Sequence, residues 1–194
     1  MPEKSYIAQI DGFRPCCEQE RGDKEIILAL CRGNEDILSR KNQVSHLTSS
    51  GLILNESRDK MLMVHHNIYR TWTWTGGHAD GDTDLEAVAL REAAEETGAD
   101  RIALLTGEMA SLDVIPVYGH VKNGRYVSAH LHLNAAYLLT ASEGERLSIR
   151  EGENSGVAWV RLSEAAGRSG EPALIRIFGK MLARINISFG DALF

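Results

Sequence analysis

Residues 84–98 read DLEAVALREAAEETG, and this run constrains the fold more than any other. Ala, Leu and Glu favour helix, so the run predicts a helix over 84–96 with Gly98 as its C-cap. Each helical residue turns by about 100°. Glu92, Glu95 and Glu96 therefore share about 100° of arc, with Leu85, Val88 and Ala89 on the same arc one and two turns earlier. The face begins apolar, so it points inward, yet it ends in three carboxylates. Like charges at this spacing repel, and shielded carboxylates need a cation. Oxygen-only donors select a hard ion, Mg²⁺ or Mn²⁺. The competing reading is a solvated acidic face with Arg91 as a neighbouring partner; the apolar stripe running into the carboxylates tells against it.

The flanking sequence supplies strands. SHLTSSGLILN (45–55) and KMLMVHHN (60–67) are apolar runs separated by ESRD, a hairpin signal. TWTWT (71–75) alternates strictly; Gly76–Gly77 should break it, with HADGD following as a loop. SLDVIPVYGHV (111–121), VSAHLHLNAAYLL (127–139) and GVAWVRL (156–162) also read as strands. A helix is expected from Pro15 to about Gly33, then a short helix or connector over 34–44, and a closing helix over Glu171–Ile187 with Pro172 in its first turn. The pattern predicts an α/β (α+β) fold, a mixed sheet sandwiched between helices. Residues 1–44 read as an N-terminal helical extension and 45–194 as one domain.

The net charge of −6 argues against a nucleic-acid polymer or an anionic membrane as partner. A local cation would instead let an acidic protein receive an anionic small molecule. No apolar run approaches the ~20 residues of a membrane span, and MPEKSYIAQIDG lacks the apolar core of a signal peptide. Cys16, Cys17 and Cys31 are odd in number and close together, which suits reduced thiols in a cytoplasmic protein.

One family shares the central motif. Its signature is Gly, five residues, Glu, seven residues, then Arg-Glu-apolar-X-Glu-Glu-X-Gly-apolar. Here Gly77, five residues, Thr83, seven residues and REAAEETGA (91–99) match at every named position except Thr83. The chain thus resembles the Nudix hydrolases over about residues 45–165, and looks like the bacterial members with a GGHADGD loop. The resemblance implies a mixed sheet between helices and Mg²⁺-dependent (or Mn²⁺-dependent) hydrolysis of a diphosphate linkage in a nucleotide-type small molecule. It implies Glu92, Glu95 and Glu96 as metal ligands, Gly77 as a carbonyl ligand, and Arg91 as the partner that orients a glutamate. Thr83 stands where the family has Glu. Asp82 or Asp84 would then compensate, or Thr83 would cap the helix in a Thr83-x-x-Glu86 box.

Other polar residues are weighed individually. His78 is a candidate for substrate contact, while Asp80 reads as turn chemistry. His65 and His66 read as surface or satisfied core. Trp72 and Trp74 are candidates for stacking on a base, with core packing as the alternative. His130 and His132 share a strand face. His130 is carried as a substrate-binding candidate, and Glu92, His120, His130 and Glu153 as candidate general bases. A homodimer is compatible with the sequence. Two rivals to the hydrolase are a catalytically silent Nudix-fold binding or regulatory protein, motivated by Thr83, and an isopentenyl-diphosphate isomerase. The isomerase needs a cysteine after the Trp-containing strand, and TWTWTGGHADGD has none.

Overall fold

The computed structural model describes residues 5–122 and 124–189. Two helices, α1 (Ser5–Gly12) and α2 (Glu18–Gly33), precede strands β1 (Ser45–Leu54), β2 (Lys60–His66), β3 (Thr71–Thr73) and β4 (Thr75–His78). Helix α3 (Leu85–Thr97) follows, then β5 (Ile102–Val117), β6 (His120–Lys122), β7 (Arg125–Val127), β8 (His130–Ala141) and β9 (Asn154–Arg161). Helices α4 (Leu162–Ser169) and α5 (Pro172–Ala183) close the described chain.

The main sheet runs β3-β2-β1-β8-β5, with β4 also on β1 and β9 also on β2; β6 and β7 form a separate pair. Among the described residues, only the β1–β8 pair of the main sheet is parallel. Strand β1 is buried along its whole length. That explains why SHLTSSGLIL lacks a clean two-residue alternation: both faces are covered. On one face Leu47, Ile53 and Leu133 pack with Leu85, Ala89 and Ala93 of α3, and with Tyr6, Ile10 and Ile27 from α1 and α2. On the other, Leu52, Leu54, Met63 and Leu138 pack against Phe178, Met181 and Leu182 of α5. The result is the expected mixed sheet between helical layers.

Three local expectations are corrected. The TWTWT run splits at Trp74, and Gly76 and Gly77 lie inside β4 rather than ending a strand, because they pair with Ser50 and Ser49 of β1. The cap of α3 is Asp84, whose side chain accepts the Ala87 N–H at 3.1 Å; Thr83 is not the cap. The strand expected over 111–121 begins earlier, at Ile102, and ends at Val117. Pro116 fits within it because β5 is an edge strand.

The edge is covered by charge from two helices. Asp23 of α2 accepts the Val114 N–H at 2.9 Å. Lys180 of α5 reaches Asp113 of β5 at 2.6 Å and Glu20 of α2 at 3.4 Å. Arg184 holds the other oxygen of Glu20 at 2.7 Å. Glu20, Asp113 and Lys180 are all buried, so these pairs link the first helical segment, the sheet edge and the last helix in one desolvated network.

Candidate active site

Helix α3 presents its carboxylates where its buried stripe runs out. Leu85, Val88, Ala89 and Ala93 are buried, and Glu96 continues the same stripe into the protein. Glu92 keeps 14% of its side-chain surface exposed and Glu95 keeps 41%. Burial, then repulsion from Glu92 and Glu153, pushes the Glu96 carboxyl up to about 8. Burial and then Glu95 raise Glu92 as well. The helix stops at Gly98, which adopts φ +70°, a conformation that strains any residue with a Cβ.

The loop before β9 closes over this end of the helix. Asn154 donates to the Glu96 carbonyl at 2.9 Å and accepts the Arg150 N–H at 3.2 Å. So anchored, Arg150 places one guanidinium nitrogen 3.3 Å from Glu92, 2.8 Å from Glu95 and 3.1 Å from Glu153. The structure therefore brings Glu153 to the carboxylate face, as one of the candidate bases. Arg91 lies 3.1 Å from Asp82 and 3.9 Å from Glu92. Asp82 is held below the usual carboxylate range by the Asp84 N–H and then by Arg91. Thr83 is exposed, and its carbonyl accepts from Ser5 and Gln9 of α1.

Gly77 sits against the same face. A Cβ there would lie 2.6 Å from Glu92 Oε2, so any other residue would have to push the Glu92 carboxylate aside. The donor type is that of a hard dication: three carboxylates within five residues, one of them buried, beside a bare backbone. With Arg150 between Glu92 and Glu95, they are not among the groups whose ligand atoms lie within 4.8 Å of one another. Without such a charge the buried Glu96 is driven toward its neutral form.

The next residue of β4 points the other way. His78 stacks near His46 (ring centroids 5.0 Å) and His132 (5.1 Å). His130 lies 4.9 Å from His46 and 5.0 Å from His132. His120 is farther out, 6.5 Å from His130. Four histidines thus gather on the sheet face opposite α3. His78 and His130 belong to this group rather than to the carboxylate face. Burial is the main cause that lowers His78 to about 3 and His132 to about 2. Trp74 is buried and packs edge-on against Phe178 in the α5 core, so it is not positioned for base stacking. Trp72 stays half-buried beside His65. Sequence reasoning missed two residues. Arg150 lies in a loop with no motif. His46 becomes a neighbour of His132 only through the β1–β8 register.

A cleft of about 400 Å³ opens at the other end of α3, lined in part by Phe13, Asp84, Glu86, Tyr137 and Arg184. It contains none of Glu92, Glu95, Glu96 or the four histidines.

The NUDIX domain model matches residues 45–178, more than half of the chain. The chain belongs to the Nudix hydrolase family. Membership makes it, by class, a hydrolase of phosphoric anhydrides. No curated protein sequence matches it. Solved structures share the fold. The dihydroneopterin triphosphate pyrophosphohydrolase of E. coli aligns at a TM-score of 0.54 and 13% identity, covering 71% of this chain and 95% of that one. A NUDIX-family hydrolase from Clostridium perfringens aligns at 0.51 and 21%, covering 73% and 98%. An Ap4A hydrolase of C. elegans, in a binary complex, aligns at 0.50 and 14%, covering 72% and 96%. Among the described residues no helix is long and apolar enough to cross a membrane.

Proposed function

We propose that this Nudix protein hydrolyses a diphosphate linkage in a nucleotide-type small molecule, using Mg²⁺ or Mn²⁺ held by Glu92, Glu95, Glu96 and the Gly77 carbonyl. The observation that carries the reading is the buried Glu96 at the end of an apolar stripe, flanked by Glu92, which no Cβ at residue 77 would leave in place. When bound, the cation supplies Lewis-acid polarisation of phosphoryl oxygens and a source of activated water. Arg91, fixed by Asp82, orients Glu92. Arg150 keeps Glu92, Glu95 and Glu153 together despite their repulsion. Glu153 or Glu92 takes the proton of the attacking water, since both reach this face.

The substrate class rests on two proteins of the same fold, an Ap4A hydrolase and a dihydroneopterin triphosphate pyrophosphohydrolase, from which we take a nucleotide-type anhydride. Against the silent-protein reading stand the intact Glu92, Glu95 and Glu96, and Arg91 is engaged by Asp82 without a glutamate at 83. Cys16 and Cys17 are in no disulfide, which suits a cytoplasmic setting. Phosphate release from a panel of nucleoside diphosphate derivatives tests the proposal. Turnover should require Mg²⁺ or Mn²⁺ and stop with a chelator. Chelator-resistant turnover, or none on any member with either metal, would refute it.

A further inference from the structure

The histidine cluster has features that the Nudix reading does not use. His46 is 4% exposed, and its Nδ1 faces the Asn42 carbonyl at 3.0 Å. A carbonyl only accepts, so Nδ1 carries the proton and Nε2 is a bare lone pair. That Nε2 is buried and has no hydrogen-bond partner. A buried acceptor without a partner is costly, on the order of 1–3 kcal/mol. His130 repeats the arrangement: its Nδ1 faces the Ser128 carbonyl at 2.8 Å, which again leaves Nε2 bare. His130 Nε2 lies 3.2 Å from His132 Nε2.

Two imidazole nitrogens on a tetrahedral ion are separated by roughly 3.3 Å when each bond is about 2.0–2.1 Å. The 3.2 Å separation matches that geometry. One donor nitrogen from each of His46, His130 and His132 lies within 4.8 Å of the other two. Metal-ligating histidines usually donate their second ring N–H to a carbonyl, as His46 and His130 do here.

We infer that His46, His130 and His132 form a second metal site, for a borderline dication such as Zn²⁺, with a fourth position open to water or an anionic ligand. Imidazole nitrogens suit Zn²⁺ rather than Mg²⁺, so the two faces of the sheet sort metals by donor chemistry. Gly77 faces the carboxylates and His78, next to it in β4, faces the histidines; the two sites therefore stand back to back across one strand. On binding, the single His132 proton that bridges the two Nε2 atoms moves to His132 Nδ1, so that all three rings ligate as neutral imidazoles. The cluster of Cys16, Cys17 and Glu20 is a weaker candidate, since Glu20 is already engaged by Arg184, Lys180, Ser111 and the Cys16 N–H.

Calorimetric titration of the full chain with Zn²⁺, under excess Mg²⁺ to occupy the carboxylate face, tests this site. The expected result is one Zn²⁺ per chain. His132→Ala and His130→Gln should each weaken it by about 100-fold, the upper end of what even an outer-shell change costs. Both variants are checked by circular dichroism and metal-free melting. The half-buried His130→Gln keeps the test valid if His132→Ala does not fold. Glu95→Gln and Cys16→Ser with Cys17→Ser should bind Zn²⁺ as the parent does. Co²⁺ in place of Zn²⁺ should give a tetrahedral d–d spectrum without sulfur charge-transfer bands. The site is overturned by unchanged Zn²⁺ affinity in folded His variants, by loss of binding with the cysteine changes, or by no stoichiometric binding to the parent.

Discussion

Glu96 is the most buried of the three carboxylates, and its surroundings make opposite demands with and without a cation. In the metal-free protein its folded pKa of about 8 exceeds the ordinary unfolded value of about 4.3. The folded state then holds a proton that the unfolded state releases. The stability this gives is fully present below the unfolded pKa and is lost as pH rises through the folded one. With a chelator present, the melting temperature should fall between about pH 5 and pH 8, and Glu96→Gln should flatten that fall. Parallel curves for the two proteins would show that Glu96 is not the responsible group. At Gly77, alanine must displace the Glu92 carboxylate. Gly77→Ala should weaken Mn²⁺ binding by about 10–100-fold, read by titration, and unchanged affinity would remove Gly77 from the site. Thr83→Glu should leave the fold intact and preserve or raise turnover, because the residue is exposed and its described contacts are made by its backbone. A tenfold loss, about 1.4 kcal/mol in barrier, would give Thr83 a role of its own. At this scale Glu92, Glu95, Glu96 and Arg91 were legible because one helix holds them and helical periodicity fixes their relative directions. Arg150 and His46 were not, because each meets its partners through tertiary contacts that no local spacing encodes.

At the scale of elements, the ends of α3 fix where its carboxylates point. Asp84→Ala removes the side-chain acceptor for the Ala87 N–H and should cost about 1 kcal/mol. Gly98→Ala combines a positive φ with a Cβ crowded against Ser148, whose nitrogen would be 3.0 Å away. It should cost about 1–3 kcal/mol, and should cost activity too, because the next loop docks on this turn through Ser148 N–H to the Thr97 carbonyl. Denaturant unfolding checks both values; a stable Gly98→Ala would mean that the helix end yields. The β1–β2 hairpin and α3 were legible, since their turn and capping signals are local. The break at Trp74 was not. Alternation suggested one strand, but Trp72 lies in β3 on β2, while Thr75 and the glycines pair with β1. Helix α4 also escaped notice, being short, interrupted by Gly167 and continuous with β9. The parallel β1–β8 register joins segments far apart in sequence, and it assembles the histidine face.

Across the whole molecule, α1 and α2 are bound into the core that supports α3. Tyr6, Ile10 and Ile27 share a buried cluster with Leu47 and Ala89, and Glu20 joins Lys180 and Asp113 across the sheet edge. Removing Lys180 would leave two carboxylates buried together. Lys180→Met should therefore destabilise the fold by about 3–5 kcal/mol, measured by denaturant unfolding at neutral pH. A change under about 1 kcal/mol would show the network to be solvated in solution. The layered architecture was readable from alternating apolar runs and helix formers. The charge network was not, since Glu20, Asp113 and Lys180 look like ordinary surface residues until three elements converge. All this packing holds the partly buried carboxylate face of α3 in position, and the most direct test of its proposed role is Mg²⁺-dependent turnover of Glu96→Gln beside the parent on the same phosphoanhydride substrate. Glutamine keeps the volume of Glu96 and removes its charge. Turnover should fall by about 100-fold or more, near 2.7 kcal/mol in barrier, in a protein that melts no lower than the parent without metal. Turnover close to that of the parent would contradict the account, because the carboxylates would then be gathered for something other than metal-dependent hydrolysis.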